Sequence, residues 1–200
     1  MFEQISKLVS ALQDAGALKH GEVISALAAF APCVEDPDYR SRLMGELSLR
    51  LGMLGDFDRA EHFARSVTNT EKSEFLRQVA DLESKKNEHD RASRLLLEAR
   101  EAAVLHRFPT QQAQALMEIA SSFEAAARKD DALDTWDLAV ELAKKAQHRG
   151  GTDGPEAAGV LVRAVEAFCK AGKTGAAKST AEEIVFPQLR EKALRAIVEI

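Results

Sequence analysis

The chain has 200 residues, 46% hydrophobic and 30% charged, a balance too apolar for a disordered chain and sufficient to order a packed one. Its net charge of −5 comes with both signs interspersed and no basic stripe, which argues against a nucleic-acid partner. Aromatic residues make up only 6%, and alanine, leucine, glutamate, lysine and arginine dominate, a mixture that favours helix throughout.

The opening stretch, MFEQISKLVSALQDAG, lacks a basic region followed by an uninterrupted apolar run, and no eighteen consecutive apolar residues occur, so neither an export signal nor a membrane span is expected. Ile5, Leu8, Leu12 and Gly16 sketch a helix and its turn, with a second helix near Val23 to Phe30; residues 1–37 are read as an N-terminal helical hairpin, a degenerate repeat. Cys33 and Cys169 are far apart and form no Cys-x-x-Cys pair, so no disulfide framework or zinc site is suggested and a reducing cytoplasm is the expected compartment.

From residue 38 a register sets in. Apolar anchors fall at Met44, Leu76, Leu116, Leu161 and Leu194, spaced 32, 40, 45 and 33 residues apart. Three residues later stand Leu47, Val79, Ile119, Ala164 and Ile197, and one further Ser48, Ala80, Ala120, Val165 and Val198, all on one helical face. Seven after the anchor come Leu51, Glu83, Phe123 and Phe168, an acid among three large apolar residues. Sixteen after the anchor lies an alanine each time, Ala60, Ala92, Ala132 and Ala177, where a bulky side chain would push two packed helices apart. The second helix continues its buried face through Ala64, Leu96, Trp136 and Ala181, then Val67, Ala99, Ala139 and Ile184.

Eleven residues after the anchor, Gly55, Asn87 and Gly172 suit a left-handed helix C-cap. Ala127 does not, so the third pair is expected to extend its first helix and turn around Lys129. The second helices of the middle pairs are expected to run about two turns longer, through AREAAVLH and AVELAKKAQ, before LHRFPT and RGGTDGP break them. From Pro187 a last helix repeats the first-helix face without a second helix following it.

The order of large apolar residue, leucine, small residue, bulky group, alanine, large residue and alanine resembles the tetratricopeptide repeat, over residues 38 to 200. The repeats fall at about 38–70, 71–109, 110–154 and 155–186, with a partial one at 187–200. The resemblance implies an all-α, right-handed α-solenoid of antiparallel helical hairpins whose first helices line a concave face. It places Arg42, Arg77, Asp81, Ser84, Lys85, Gln114, Ser121, Glu124, Glu166 and Lys170 on that face. Their mixed charges suit a peptide or helix of another protein carrying both signs.

Other motifs are absorbed by the register. AFCKAGKT, residues 167–174, follows a relaxed phosphate-loop pattern, but a helix rather than a strand precedes Gly172, which acts as a cap. Asp130, Asp131 and Asp134 form an Asp-Asp-x-x-Asp run of the kind that holds magnesium and a diphosphate in helical prenyl-transferring enzymes. No second acidic motif faces it, and Ala132 within the run is a packing alanine, so these aspartates are assigned to the positive end of a helix. The five histidines show no i, i+4 pair, and no serine elbow or nucleophilic cysteine motif occurs. Trp136 occupies a core position. The resulting expectation is a protein-interaction module or scaffold, without catalytic activity, cofactor or metal. The alternatives are a magnesium-dependent helical enzyme using the three aspartates, and a structural homo-oligomer joined through its C-terminal helix.

Overall fold

The computed structural model describes residues 21–148 and 153–198. Every regular element among them is helical: α1 (Gly21–Phe30), a 3-10 turn (Ala31–Cys33), α2 (Pro37–Leu54), α3 (Phe57–Arg65), α4 (Lys72–Lys85), α5 (His89–Ala103), α6 (Pro109–Ala125), α7 (Lys129–Ala146), α8 (Asp153–Lys170), α9 (Thr174–Glu182) and α10 (Pro187–Val198). The expected all-α class is therefore observed, and the helix near Val23 to Phe30 is α1. The helix drawn through Ile5, Leu8, Leu12 and Gly16 lies outside the described residues. The chain groups into two compact units, up to Leu95 and from Leu96 onward, the division falling within α5.

In the first unit α1 packs on α2, α2 packs on both α3 and α4, and α3 packs on α4. In the second, α6 packs on α7 and α8, α7 on α8, α8 on α9 and α10, and α9 on α10. Within each unit a first helix touches the next, α2 with α4, α6 with α8 and α8 with α10, and the second helix between them, α3, α7 or α9, sits against both. The alanines expected at tight crossings are buried without exception: Ala60, Ala92 and Ala177 have no exposed surface and Ala132 retains 2%. Second-helix length also follows the sequence, with 15 residues in α5 and 18 in α7 against 9 each in α3 and α9.

Local chemistry explains where helices start. The Asp36 carboxylate accepts the backbone N–H groups of Asp38 (3.0 Å) and Tyr39 (3.1 Å) at the head of α2, and Pro37 fills the first position, where its missing N–H costs nothing. Asp56 caps α3 by accepting the N–H of Arg59 at 3.3 Å. The α3–α4 connection is tied down from α2, whose buried Ser41 hydroxyl accepts the N–H of Thr68 at 2.9 Å.

The four turns inside the helix pairs share one backbone design. Gly55, Asn87, Ala127 and Gly172 all adopt positive φ, at 84°, 65°, 59° and 71°. In each, the N–H of the following residue bonds to the carbonyl five residues back: Asp56 to Leu51 (3.0 Å), Glu88 to Glu83 (3.0 Å), Arg128 to Phe123 (2.9 Å) and Lys173 to Phe168 (2.8 Å). The left-handed residue itself bonds three back, to Gly52, Ser84, Glu124 and Cys169, which completes a Schellman cap. Ala127 therefore corrects the sequence expectation: α6 stops at Ala125 and the third turn falls at the register position, not around Lys129. An alanine is driven left-handed because the two cap bonds, and the packing of the helices on either side, outweigh its backbone strain of about 1 kcal/mol. Ala127→Gly should accordingly stabilise the chain, by about 0.5 kcal/mol after allowing for the looser unfolded state of glycine, while Gly172→Ala should cost about 1 kcal/mol. Urea midpoints of the two variants, compared at equal slope, would show opposite displacements.

Two glycines set helix spacing in the first unit. A Cβ built on Gly45 of α2 would lie 2.2 Å from the Phe75 ring of α4, and one on Gly52 would lie 2.9 Å from Leu82. The second unit has a polar brace instead. The buried Gln147 side chain donates to the Glu183 carbonyl (2.9 Å) and accepts the Val185 N–H (3.1 Å), locking the end of α7 to the α9–α10 turn.

Candidate functional site

The residues assigned to a partner-binding face divide between the two units. In the first, Arg42 lies on α2 and Arg77, Asp81, Ser84 and Lys85 on α4; Arg42 and Lys85 are exposed and the other three half-buried. Arg77 bridges two carboxylates of its own helix, Glu74 at 2.6 Å and Asp81 at 2.9 Å, so its charge is already neutralised and its fork held in place. In the second, the Gln114 amide of α6 donates to Glu156 of α8 at 3.2 Å, and the Ser121 hydroxyl donates to the Met117 carbonyl at 3.0 Å. Glu124 accepts the indole N–H of Trp136 at 2.8 Å, which satisfies the one polar atom of a buried ring and gives Glu124 a structural role. Lys170 is exposed.

Glu166 lies in a cleft. An opening of about 330 Å³ runs between α8 and α10, lined by Glu166 from α8 and by Gln188, Glu191, Lys192, Arg195 and Ala196 from α10. Lys192 stands two before the anchor Leu194 and Arg195 one after it, the same register positions that select Gln114 and Arg77 on other first helices. Sequence reasoning passed over Lys192 and Arg195, though the register it used contains them. Glu191 pairs with Arg195 at 2.5 Å, which leaves Glu166 and Lys192 as the unpaired charges of the cleft among the described residues. Beside it, α10 leaves Leu194 39% and Val198 86% exposed, where α8 buries Leu161 and Val165 completely at the same register positions.

A second cluster lies inside the first unit. Glu83 has no exposed surface, and neither of its carboxyl oxygens accepts a hydrogen bond; the one open to it is the bond its own proton makes to the Glu61 carboxyl. Arg91, in the first turns of α5, brings its Nε to 3.5 Å from Glu83 but commits its hydrogen bonds elsewhere, to Glu61 (Nε at 2.8 Å) and Asp58 (2.7 Å) of α3. Burial, and then the neighbouring Glu61 carboxyl, push Glu83 up to about 8. Burial would also raise Glu61, but its bonds to Arg91, Glu83 and Arg65 outweigh that and hold it below the usual carboxylate value. The Arg91 guanidinium is held charged, foremost by Asp58. The sequence signal for this cluster was the single acid in the column Leu51, Glu83, Phe123 and Phe168; its partners, 22 residues before and 8 after Glu83, could not be matched to it without the fold.

The aspartate run sits in the first two turns of α7. Asp131 pairs with Arg128 at 2.6 Å, while Asp130 and Asp134 point to solvent. Among the described residues no three His, Cys, Asp or Glu side chains are grouped to hold a metal ion, and no helix is long and apolar enough to cross a membrane. Compared with known proteins, the chain matches no protein-family model, and no curated protein resembles it in sequence.

Proposed function

We propose that the chain is a protein-interaction module, each unit a piece of a tetratricopeptide-like right-handed solenoid whose first helices receive a peptide or helix of another protein. The observation that carries this reading is the cleft between α8 and α10, because it opens where two neighbouring first helices present the register positions assigned to partner contact. Its charges have both signs: Glu191 and Arg195 pair along α10, while Glu166 and Lys192 have no ion-pair partner among the described residues, so a complementary segment would place a basic side chain near Glu166 and an acidic one near Lys192. The polar lining favours specificity and orientation over raw affinity, and a partner would gain apolar area from the exposed Leu194 and Val198 alongside.

The test is crosslinking and purification from the source cell, followed by binding measurements with the recovered protein in pure form. Lys192→Glu with Arg195→Glu should weaken that binding at least tenfold and reduce its salt dependence. Lys178→Glu, on the exposed face of α9 outside the cleft, should leave it unchanged. Equal loss in both variants, or no loss in the first, would refute the assignment of the cleft.

A further inference from the structure

Glu83 occupies a position that three other turns of this chain fill with Leu51, Phe123 and Phe168, each 2% exposed or less. A glutamate there gives up the apolar contact and buries a carboxyl whose oxygens accept no hydrogen bond, leaving only the bond its proton can give to Glu61.

The surroundings define those states. From α3 come the carboxylates of Asp58 and Glu61, with Arg65 bound to the far side of Glu61 at 2.8 Å. From α5 comes Arg91, already engaged by both carboxylates. From α2, Gly45 faces Phe75 and Gly52 faces Leu82 of α4. On α4 itself Arg77 and Asp81 pair with each other on the half-exposed side. A neutral Glu83 fits this arrangement, since Arg91 is then balanced by Asp58 and Glu61. An ionised Glu83 makes a third carboxylate around one guanidinium, buried and in contact with Glu61.

We propose that Glu83, Glu61 and Arg91 form a pH-sensitive joint among α3, α4 and the start of α5, closed while Glu83 carries its proton and loosened when alkaline conditions remove it. The direction follows from proton linkage. The unfolded chain releases this proton near the ordinary value of 4.5, and the folded chain keeps it to about 8. Between those values the folded state binds the extra proton, so its advantage is full below the lower value and falls as pH rises, the loss being complete above the upper one. One proton allows at most about a tenfold change per pH unit.

Hydrogen exchange of the full chain, corrected for intrinsic rates, tests this. Protection of amides in residues 57–91 should fall tenfold to 100-fold between pH 6 and pH 9, roughly the linkage limit reduced for water penetration. Protection in residues 109–146 should stay level, and Glu83→Gln should abolish the fall. A flat profile in the native chain, or the same fall in Glu83→Gln, overturns the joint. Should that variant fail to fold, side-chain carbon titration of the native chain decides: one glutamate titrating near 8 supports the proposal, and none titrating above about 6 overturns it.

Discussion

Gly45→Ala is expected to lower the stability of the first unit by about 2 kcal/mol, although alanine is the better helix former. In an open helix interior the exchange gains about 1 kcal/mol, because alanine loses less backbone freedom on folding. At Gly45 the new methyl would sit 2.2 Å from the Phe75 ring, and other ring atoms lie at 2.4 Å. That ring is 8% exposed, so either it must shift within a packed interior or α2 and α4 must move apart. Overpacking of this kind costs about 1–3 kcal/mol, and the severity of the overlap puts it at the upper end, where it exceeds the propensity gain. Gly159 in α8 is the matched control: an added Cβ there meets nothing within 4 Å, and Gly159→Ala should stabilise by up to about 1 kcal/mol. In a Phe75→Leu background the cost of Gly45→Ala should shrink by more than half, since residues in contact are not additive. Chemical denaturation of the four variants followed by circular dichroism checks all of this; equal effects at Gly45 and Gly159 would contradict the close approach.

Arg91→Met carries the second large effect. The guanidinium is 27% exposed, yet it serves Glu61, which is 12% exposed, and Glu83, which is not exposed at all. Exposed pairs are worth about 1 kcal/mol or less, whereas removing one partner of a buried pair costs about 3–5 kcal/mol by stranding the other charge. The mixed exposure places Arg91→Met at about 2–3 kcal/mol at neutral pH. The charge at risk is that of Glu61, because Glu83 holds its proton below about 8. Arg91→Lys keeps the charge but loses the fork that reaches Asp58 and Glu61 together, so about half of the destabilisation should remain. Glu83→Leu should act in the opposite direction and raise the denaturation midpoint at pH 8 above that of the native chain.

Much of this architecture could be read along the chain because it is written in residue size and local spacing. Ala60, Ala92, Ala132 and Ala177 mark helix crossings by being small, and all are buried. Gly55, Asn87 and Gly172 mark turns through a backbone preference that belongs to single residues. Ala127 escaped that logic because its conformation is imposed by the cap bonds and flanking helices, against its own preference. Gly45 escaped it too, since the need for glycine there comes from Phe75, thirty residues on. The candidate site was legible to the same degree. Glu166 was found by register, whereas the α10 side of its cleft and the triangle of Glu61, Glu83 and Arg91 depend on tertiary contacts no local window contains.

The bond from Trp136 to Glu124 has a practical consequence. The chain has one tryptophan and one tyrosine, and they fall in different units: Trp136 is 2% exposed in the second, while Tyr39 heads α2 in the first. The emission spectrum is therefore a local instrument. Tryptophan emission will follow the melting of residues 96 onward and remain silent about α2 to α4, whose loss shows only in the tyrosine signal or in helix content. A protein that looks intact by its tryptophan fluorescence can already have lost α1 to α4, four of its ten described helices.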